Sequence, residues 1–255
     1  MLIKSYPKIN LYLDVINKRE DGYHNILTLF HSIENIYDLI DVEFSEKEDF
    51  FCEPNLDFNW ENNIIKKTIE LFKKETGKND FNLKIKMRKM IPQGGGLGGG
   101  SSNSAAILKF LGENYRVSES DLMKMALKIG SDVSFLIKGG TAIGESRGEN
   151  LTFLEPLKIK TILKPLFITI NTGEMYDLIS KNFENLKRKG DPYKLYEALK
   201  IKNIEEIKNN SFNIFEQVVF SAYPEIEISK NYFENNSNCI ITRMSGSGST
   251  LYGIL

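Results

Sequence analysis

The sequence has little that would crosslink a protein or give it a strong charge. Only two of its 255 residues are cysteines, Cys52 and Cys239. Two are too few for a disulfide framework or a four-cysteine zinc site, so both are expected to be free thiols. The 33 basic and 34 acidic side chains leave a net charge of -1. This balance argues against a protein that holds nucleic acid through a general basic excess.

Long apolar runs are also missing. No segment approaches the roughly 18 consecutive apolar residues that a membrane span needs. The N-terminal segment is interrupted by Lys4, Pro7 and Lys8, which is unlike a signal peptide. We therefore expect a soluble, cytoplasmic protein with neither a membrane nor a nucleic acid as its partner.

The composition is that of an ordinary globular protein, with 41% hydrophobic and 26% charged residues. Apolar residues alternate over residues 9–16, as in a strand, and recur at helical spacing over residues 63–76 before Gly77. Strand and helix patterns are mixed without a regular βαβ rhythm. The sequence therefore predicts an α+β protein with two lobes.

Further elements follow from the same patterns. A helix after the glycine-rich segment is predicted to stop at Gly112, and a second is predicted from Ser118 to Gly130. A break is expected near residues 148–160, followed by several Lys- and Glu-rich helices up to about residue 235. Strands are predicted at residues 23–33, 37–44, 81–89, 164–170, 239–244 and 249–255.

A cluster of glycines is the most informative local feature. Six of the seven residues from Gly94 to Gly100 are glycine, and Ser101 and Ser102 follow at a helix start. Glycines let backbone amides approach an anion closely, and a helix N-terminus adds unpaired N–H donors and a partial positive charge. The segment therefore predicts a phosphate-binding loop, with a flexible linker as the alternative.

Neither of the two common phosphate loops fits this segment. It matches G-x-G-x-x-G by letter, but it follows a basic strand well inside the chain, and the acidic residues about 20 positions on, Glu119 and Asp121, belong to a helix cap. A Walker A loop would end in Gly-Lys-Ser/Thr, whereas Gly100 is followed by Ser101.

The stretch P-Q-G-G-G-L-G-G-G-S-S-N-S-A, Pro92–Ala105, resembles the ATP loop of the GHMP kinases, which phosphorylate small-molecule alcohols. Residues 7–33 with D-G-Y-H, residues 130–149 and the final S-G-S-G-S-T-L-Y-G-I are similar to signatures of one branch of that family. That branch acts on 4-diphosphocytidyl-2-C-methyl-D-erythritol in non-mevalonate isoprenoid biosynthesis. The resemblance implies a ribosomal-S5-domain-2-like lobe over residues 1–152 and a ferredoxin-like lobe over residues 153–255.

The sequence departs from the family pattern in two places. Ser131 and Ser134 replace the usual Ala before the motif aspartate and the usual Pro after the following Val. The family's chain also continues beyond the last glycine motif, whereas this sequence ends at Leu255. We therefore expect a second lobe shortened at its end, whose last strand lacks its usual covering helix.

The resemblance implies ATP-dependent phosphorylation of the 2-hydroxyl of the cytidylated erythritol. Asp132 would be the base that takes the hydroxyl proton, and Lys8 would pair with it and stabilise the transferring phosphoryl group. Asn10 would hydrogen-bond the substrate near the reacting hydroxyl. From the residues alone, Asp132 could equally be an aspartate in the last turn of a helix, and Lys8 an exposed lysine on a strand.

In the family, the pair Tyr23 and His24 recognises cytosine, with the tyrosine stacking on the base and the histidine reading its edge. A hydrogen-bonded Tyr-His pair in the core is the alternative. His31 matches no family role and is predicted to be structural.

The ATP side of the resemblance includes Asn63 at a helix start and Lys89 just before the loop. Residues of the loop itself complete the predicted ATP contacts: Pro92, Gly94, Gly95, Gly96, Leu97, Gly98, Gly99, Gly100, Ser101 and Ser102. Mg²⁺ is expected with the ATP, held mainly by ATP oxygens and water because the sequence shows no carboxylate cage.

Two other functions remain open. A homoserine- or mevalonate-type kinase would keep the fold and change the acceptor, and the D-G-Y-H motif argues against it. A non-catalytic nucleotide- or RNA-binding module would share the α+β lobes. The near-neutral charge and the presence of both Lys8 and Asp132 weigh against that module.

Overall fold

The computed structural model describes residues 1–54 and 59–255, and these contain strands and helices in mixed order. The strands are Leu2–Ser5 (β1), Lys8–Lys18 (β2), His24–Ser32 (β3), Asp38–Ser45 (β4), Asp49–Glu53 (β5), Asn82–Arg88 (β6), Thr141–Glu145 (β7), Asn150–Leu154 (β8), Thr161–Lys164 (β9), Phe212–Asn213 (β10), Ile241–Met244 (β11) and Leu251–Ile254 (β12).

The helices begin after a 3₁₀ turn at Trp60–Asn62. They are Ile64–Thr76 (α1), Gly99–Tyr115 (α2), Glu119–Ile129 (α3), Ser131–Lys138 (α4), Thr172–Lys181 (α5), Pro192–Ile201 (α6), Ile204–Asn210 (α7), Phe215–Ala222 (α8) and Pro224–Asn235 (α9).

The chain forms two compact units, and each is assembled from separate stretches of sequence. The first comprises Met1–Pro7, Ile33–Ile91 and Gly98–Gly139, and the second comprises Lys8–Ser32, Pro92–Leu97 and Gly140–Leu255. These units follow spatial compactness, whereas the lobes expected from the resemblance follow the order of the chain. The predicted lobe boundary at residue 152 stays a prediction.

The first unit is a four-stranded sheet covered by helices. Its strand order is β1-β4-β6-β5, antiparallel except for the parallel pair β5 and β6. Alternate residues of β4 and β6 are buried together with one face of α1 and much of α2. The face of the sheet follows the predicted alternation, since Phe81, Leu83, Ile85 and Met87 are all buried.

The second unit contains a five-stranded and a three-stranded sheet. The larger has the order β10-β2-β3-β7-β8, and the smaller, β11-β12-β9, is antiparallel throughout. Strand β2 is buried on both faces from Lys8 to Val15: the predicted inward residues Ile9, Leu11, Leu13 and Val15 are covered, and so is Asn10 between them.

Three predicted helix boundaries are confirmed by their caps. Asn63 caps the start of α1 and Gly77 ends it with a left-handed φ of 70°, a conformation that glycine adopts without a Cβ penalty. Ser118 caps α3, where its side chain accepts a hydrogen bond from the amide of Asp121.

The predicted end of α2 at Gly112 is wrong, because the helix continues to Tyr115. A Cβ on Gly112 would lie 2.5 Å from Leu122 Cδ1 in α3, much closer than van der Waals contact allows. Glycine therefore serves close helix packing at this position and does not end the helix.

The strand predicted at residues 164–170 is also wrong. The strand there is β9, which ends at Lys164, directly before Pro165. A proline has no N–H to donate to a sheet, so it ends the ladder. The expected break at residues 148–160 contains the short strand β8, which pairs with β7.

The last strand is buried, and the expected loss of its usual covering helix stays a prediction. β12 is the central strand of its sheet, and all four of its residues are buried. Phe233 of α9 and Cys239, which precedes β11, lie against Gly253, where an added Cβ would meet both side chains.

His31 lies inside the larger sheet, consistent with the structural role predicted for it. Its Nδ1 is 2.9 Å from Thr141 Oγ1, and burial lowers the pKa of the imidazole to about 4. As the pH falls, the His31 imidazole is protonated near pH 6.5 in the unfolded chain and only at about pH 4 in the folded chain. Falling pH therefore destabilises the fold within that window.

Because His31 is protonated only in the unfolded chain over this range, we expect the free energy of unfolding to fall by about 2 kcal/mol from pH 7 to pH 5. Urea unfolding of the wild-type protein and of His31→Gln at both pH values measures this. The wild type should lose more stability than the variant, in which His24 and the carboxylates still titrate. Equal losses in the two proteins would show that His31 does not carry the effect.

Candidate active site

The first half of the glycine loop is packed within the second unit. Gly94 and Gly96 have positive φ values of 63° and 73°. The Gly96 carbonyl accepts hydrogen bonds from Lys8 Nζ at 3.2 Å and Ser245 Oγ at 2.9 Å. A Cβ on Gly96 would overlap the Ser245 carbonyl oxygen, so only glycine fits. The loop is thus held by specific contacts, unlike the flexible linker that the sequence left as an alternative.

The second half of the loop starts α2 in the first unit. Gly98 is its N-cap with φ 67°, and no side chain caps the helix. The first bond of the helix runs from the amide of Ser102 to the carbonyl of Gly98 at 2.8 Å. The amides of Gly99, Gly100 and Ser101 therefore have no partner within the helix. Three such donors at the positive end of a 17-residue helix suit a phosphate group.

The two serines of this helix start differ in their surroundings. Ser102 is 3% exposed, and its hydroxyl donates to the Tyr6 carbonyl at 2.6 Å while bonding Ser5 Oγ. Ser101 is partly exposed. The Ser102 hydroxyl therefore fastens α2 to the first strand region, and contact with ATP through either serine stays a prediction.

Lys89 lies beside the start of α2, and its ammonium is already paired with a carboxylate of the protein. Its side chain is 8% exposed and forms an ion pair with Asp38, with Nζ and Oδ2 2.6 Å apart. A Cβ on Gly99 would lie 3.1 Å from Nζ, so the ammonium is next to the first residue of α2. A direct bond from Lys89 to ATP stays a prediction.

Asn63 lies where the sequence placed it, at the start of α1. Its Oδ1 accepts from the amide of Ile65 at 2.9 Å, so the side chain serves as a helix cap. Its neighbour Ile64 faces Gly100, where a Cβ would be 3.6 Å from Ile64 Cγ2. The start of α1 thus lies beside the second half of the glycine loop.

Asp132 is in the first turn of α4, which corrects the interpretation of a helix C-terminal aspartate. Gly130 ends α3 and is also the N-cap of α4, so the next helix begins without a linker. The positive end of a helix dipole stabilises a carboxylate, whereas a C-terminal turn would destabilise it. Asp132 and Lys8 belong to different compact units, and their predicted pairing stays a prediction.

Lys8 is a buried lysine at the start of β2 and not an exposed one, with 5% of its surface accessible. Its Nζ donates to Asn10 Oδ1 at 2.9 Å and lies 5.6 Å from the centre of the Phe30 ring. Asn10 is 3% exposed and its Nδ2 donates to Thr28 Oγ1 at 2.8 Å. The structure therefore brings Lys8, Asn10 and Gly96 together through hydrogen bonds.

Tyr23 is a surface ring, 57% exposed, that follows the Asp21-Gly22 turn. Its amide donates to Asp21 Oδ1 at 3.1 Å, which fixes the turn. The Arg147 guanidinium carbon lies 4.8 Å from the ring centre, a cation–π contact on one side of the ring. Such a ring is available to stack on a flat ligand.

His24, next in sequence, is buried instead. Its ring stacks on Tyr176 of α5 with centroids 4.7 Å apart and an angle of 21°, and Nε2 shares a 2.6 Å hydrogen bond with Ser180 Oγ. Burial, assisted by the charge of Lys18, lowers the pKa of His24, so its ring is neutral at pH 7. Tyr23 and His24 thus differ sharply in exposure and do not form a packed Tyr-His pair.

Neither a metal cage nor a membrane segment is found in the parts of the chain that the structure describes. Across residues 1–54 and 59–255, no group of three or more His, Cys, Asp or Glu side chains could hold a metal ion. No helix among them is both long and apolar enough to span a bilayer. A Mg²⁺ ion would therefore need ligands other than a group of this kind, such as phosphate oxygens and water.

Comparison with known proteins identifies the family. The model "GHMP kinases N terminal domain" matches residues 63–140, and "GHMP kinases C terminal" matches residues 195–255. The 4-diphosphocytidyl-2-C-methyl-D-erythritol kinase of Petrotoga mobilis is 54% identical over 255 residues, covering 100% of this chain and 99% of that protein. The enzyme of the same name from Thermotoga maritima is 40% identical and covers 98% and 90%.

The chain belongs to the 4-diphosphocytidyl-2-C-methyl-D-erythritol kinase family, within the GHMP kinases. It is therefore a small-molecule kinase with an α+β, two-lobed fold, as predicted. A crystal structure of 4-(cytidine 5'-diphospho)-2C-methyl-D-erythritol kinase superposes with a TM-score of 0.81 at 27% identity, covering 100% of this chain and 90% of that chain. The homoserine kinase of Cytophaga hutchinsonii, at 17% identity and a TM-score of 0.64, covering 99% and 86%, shares the fold alone.

For this GHMP kinase family member, sequence reasoning missed three side chains near the predicted site residues: Asp38, Arg147 and Ser180. Asp38 could have been found, because it alternates with Ile40 and Val42 and so falls on the buried face of β4. Arg147 and Ser180 gave no local signal, since their contacts with Tyr23 and His24 join distant parts of the chain.

The packing of the glycine loop predicts that Gly96→Ala will be strongly destabilising. The new Cβ would meet the Ser245 carbonyl, and the φ of 73° disfavours any L side chain. We expect a loss of about 3 kcal/mol or more in the free energy of unfolding, measured by urea denaturation.

Gly94→Ala is the matched control. Gly94 has a similar φ of 63°, but nothing lies within 4 Å of an added Cβ. The free energy of unfolding of Gly94→Ala should fall by only about 1–2 kcal/mol, the cost of placing an L residue at a positive φ. If the two variants lost the same stability, the contact between Gly96 and Ser245 would not constrain the loop.

Proposed function

We propose that the protein transfers the γ-phosphoryl group of ATP to the 2-hydroxyl of 4-diphosphocytidyl-2-C-methyl-D-erythritol, in isoprenoid biosynthesis in the cytoplasm. The observation that carries this proposal is the 54% identity, over the full length of both chains, with a relative named for that substrate. The D-G-Y-H turn and the N-terminus of α2 support it, since they suit a base and a phosphate respectively.

The proposed reaction is a direct, in-line transfer. The acceptor oxygen forms a bond to the γ-phosphorus while the bond from that phosphorus to the β,γ-bridging oxygen breaks, and ADP leaves. Asp132 takes the proton of the acceptor hydroxyl as the new bond forms. Its place in the first turn of α4 supports this role, because the carboxylate is carried on an ordered element.

Lys8 stabilises the negative charge that develops on the transferring group, and Asn10 fixes the ammonium of Lys8 and binds near the acceptor hydroxyl. Both roles are supported by the burial of the two side chains and their 2.9 Å hydrogen bond. A buried ammonium interacts more strongly with charge than an exposed one, since water screens it less.

The phosphates of ATP bind at the glycine loop and the first turn of α2, where the donors have no partner within the helix. Mg²⁺ bound together with ATP would supply charge neutralisation between the phosphates, and its ligands would be mainly phosphate oxygens and water. The cytosine stacks on Tyr23, and the neutral ring of His24 lies next to it in sequence.

A coupled assay tests the function directly. ADP release should require the cytidylated erythritol and should not occur with homoserine or mevalonate as the sole acceptor. Turnover with either of these and none with the cytidylated compound would overturn the proposed substrate.

Asp132→Asn should lower kcat by about two to four orders of magnitude while the dissociation constant of ATP changes little, because the amide cannot take the proton. Asp121→Asn is the matched control, since Asp121 is also in the first turn of a helix but forms an exposed ion pair with Lys124. Wild-type turnover in Asp132→Asn would exclude Asp132 as the base.

Tyr23→Ala should raise the KM for the cytidylated substrate about 5- to 100-fold with little change in the KM for ATP, through the loss of base stacking. Tyr23→Phe keeps the ring and should stay near wild type. Tyr193→Ala removes another exposed tyrosine, on α6, and should leave both constants unchanged. An unaltered substrate KM in Tyr23→Ala would remove this ring from the base site.

A further inference from the structure

Asp38 is a buried carboxylate that the proposed reaction does not use. It is the first residue of β4 and is 0% exposed. Its Oδ1 accepts from the amides of Met90 at 2.7 Å and Ile91 at 2.8 Å, and its Oδ2 accepts from Lys89 Nζ at 2.6 Å. All three bonds reach the tripeptide that directly precedes Pro92 and the glycine loop.

The bonds to Asp38 also determine where the Lys89 ammonium lies. Nζ donates to the Ile91 carbonyl at 2.9 Å as well, which curls the side chain back over its own tripeptide. There it is beside Gly99, the first residue of α2. The N-terminus of a helix is itself positive, so an ammonium at this place is repelled unless an anion accompanies it.

Two anions could compensate that repulsion: Asp38, which is part of the protein, and a phosphate bound at the helix start. A buried ion pair contributes little net stability, because the loss of hydration offsets the attraction between the charges. The ion pair alone therefore gives little reason for a cation at this helix start, whereas a role in holding that cation near a phosphate explains its place.

We propose that Asp38 is a positioning residue for ATP: it fixes the backbone of residues 89–91 and holds the Lys89 ammonium at the N-terminus of α2. Both groups then meet the phosphates of ATP in a fixed arrangement. This rests on the ATP part of the proposed function and not on the identity of the alcohol.

Asp38→Ala and Asp38→Asn test the proposal. Alanine removes every acceptor, leaving two buried amides unpaired and Lys89 unanchored, whereas asparagine keeps an oxygen for the amides of Met90 and Ile91. The dissociation constant of AMP-PNP, measured by calorimetry, should rise at least about tenfold in Asp38→Ala and less in Asp38→Asn. The KM for the acceptor should stay within about twofold in both variants.

Asp41→Ala is the matched control, because Asp41 is on the same strand but exposed, where it meets the N-terminal amine at 3.4 Å. The affinity of Asp41→Ala for AMP-PNP should equal that of the wild type. A folded Asp38→Ala with wild-type affinity overturns the proposal, and so does a loss of ATP and acceptor affinity in equal measure. If Asp38→Ala does not fold, an unchanged affinity in Asp38→Asn overturns it.

The same measurement separates this inference from the proposed function. Binding of AMP-PNP needs no acceptor, so a wild-type protein that binds it and fails to phosphorylate the cytidylated erythritol refutes only the proposed acceptor. A wild-type protein that does not bind AMP-PNP refutes both.

Discussion

One carbonyl oxygen joins three parts of the sequence that lie far apart. The Gly96 oxygen accepts from Lys8 at the start of β2 and from Ser245 in the terminal glycine turn. This contact requires a residue without a Cβ. The lysine proposed to stabilise the transferring phosphoryl is thus held by a backbone atom of the loop proposed to bind ATP. Because a backbone acceptor cannot rotate away as a side chain can, the position of Lys8 depends directly on the conformation of that loop.

The overall charge of the protein makes such local arrangements necessary. The chain carries a net charge of -1, yet both proposed ligands are polyanions. Under the proposed function, attraction would come from a few donors at short range: the first-turn amides of α2 and the ammonium groups of Lys8 and Lys89. Each ammonium is shielded from water, and lower screening strengthens its field over a few ångströms while contributing little farther away.

Most of the fold could be predicted because periodicity and glycine chemistry are local. Strands β2, β3, β4, β6, β11 and β12 and the caps of α1 and α3 follow from them. The end of α2 could not be predicted in this way, because the glycine at position 112 is required by close packing against Leu122 of α3. In the candidate site, the glycine loop and the helix that follows it were predictable, but the directions of the Ser102 hydroxyl and the Lys89 ammonium were not. Those directions depend on Ser5 and Asp38, which are distant in the chain.

Gly130 ends one helix and begins the next, so α3 and α4 are joined with no spare residue. Helices advance by about 100° per residue around their axis. If one residue were added inside α4 before Asp132, the carboxylate would turn by about that angle and face a different direction. The junction therefore fixes the direction of the Asp132 carboxylate around the axis of α4. Insertions and deletions are better accommodated elsewhere in the chain than here.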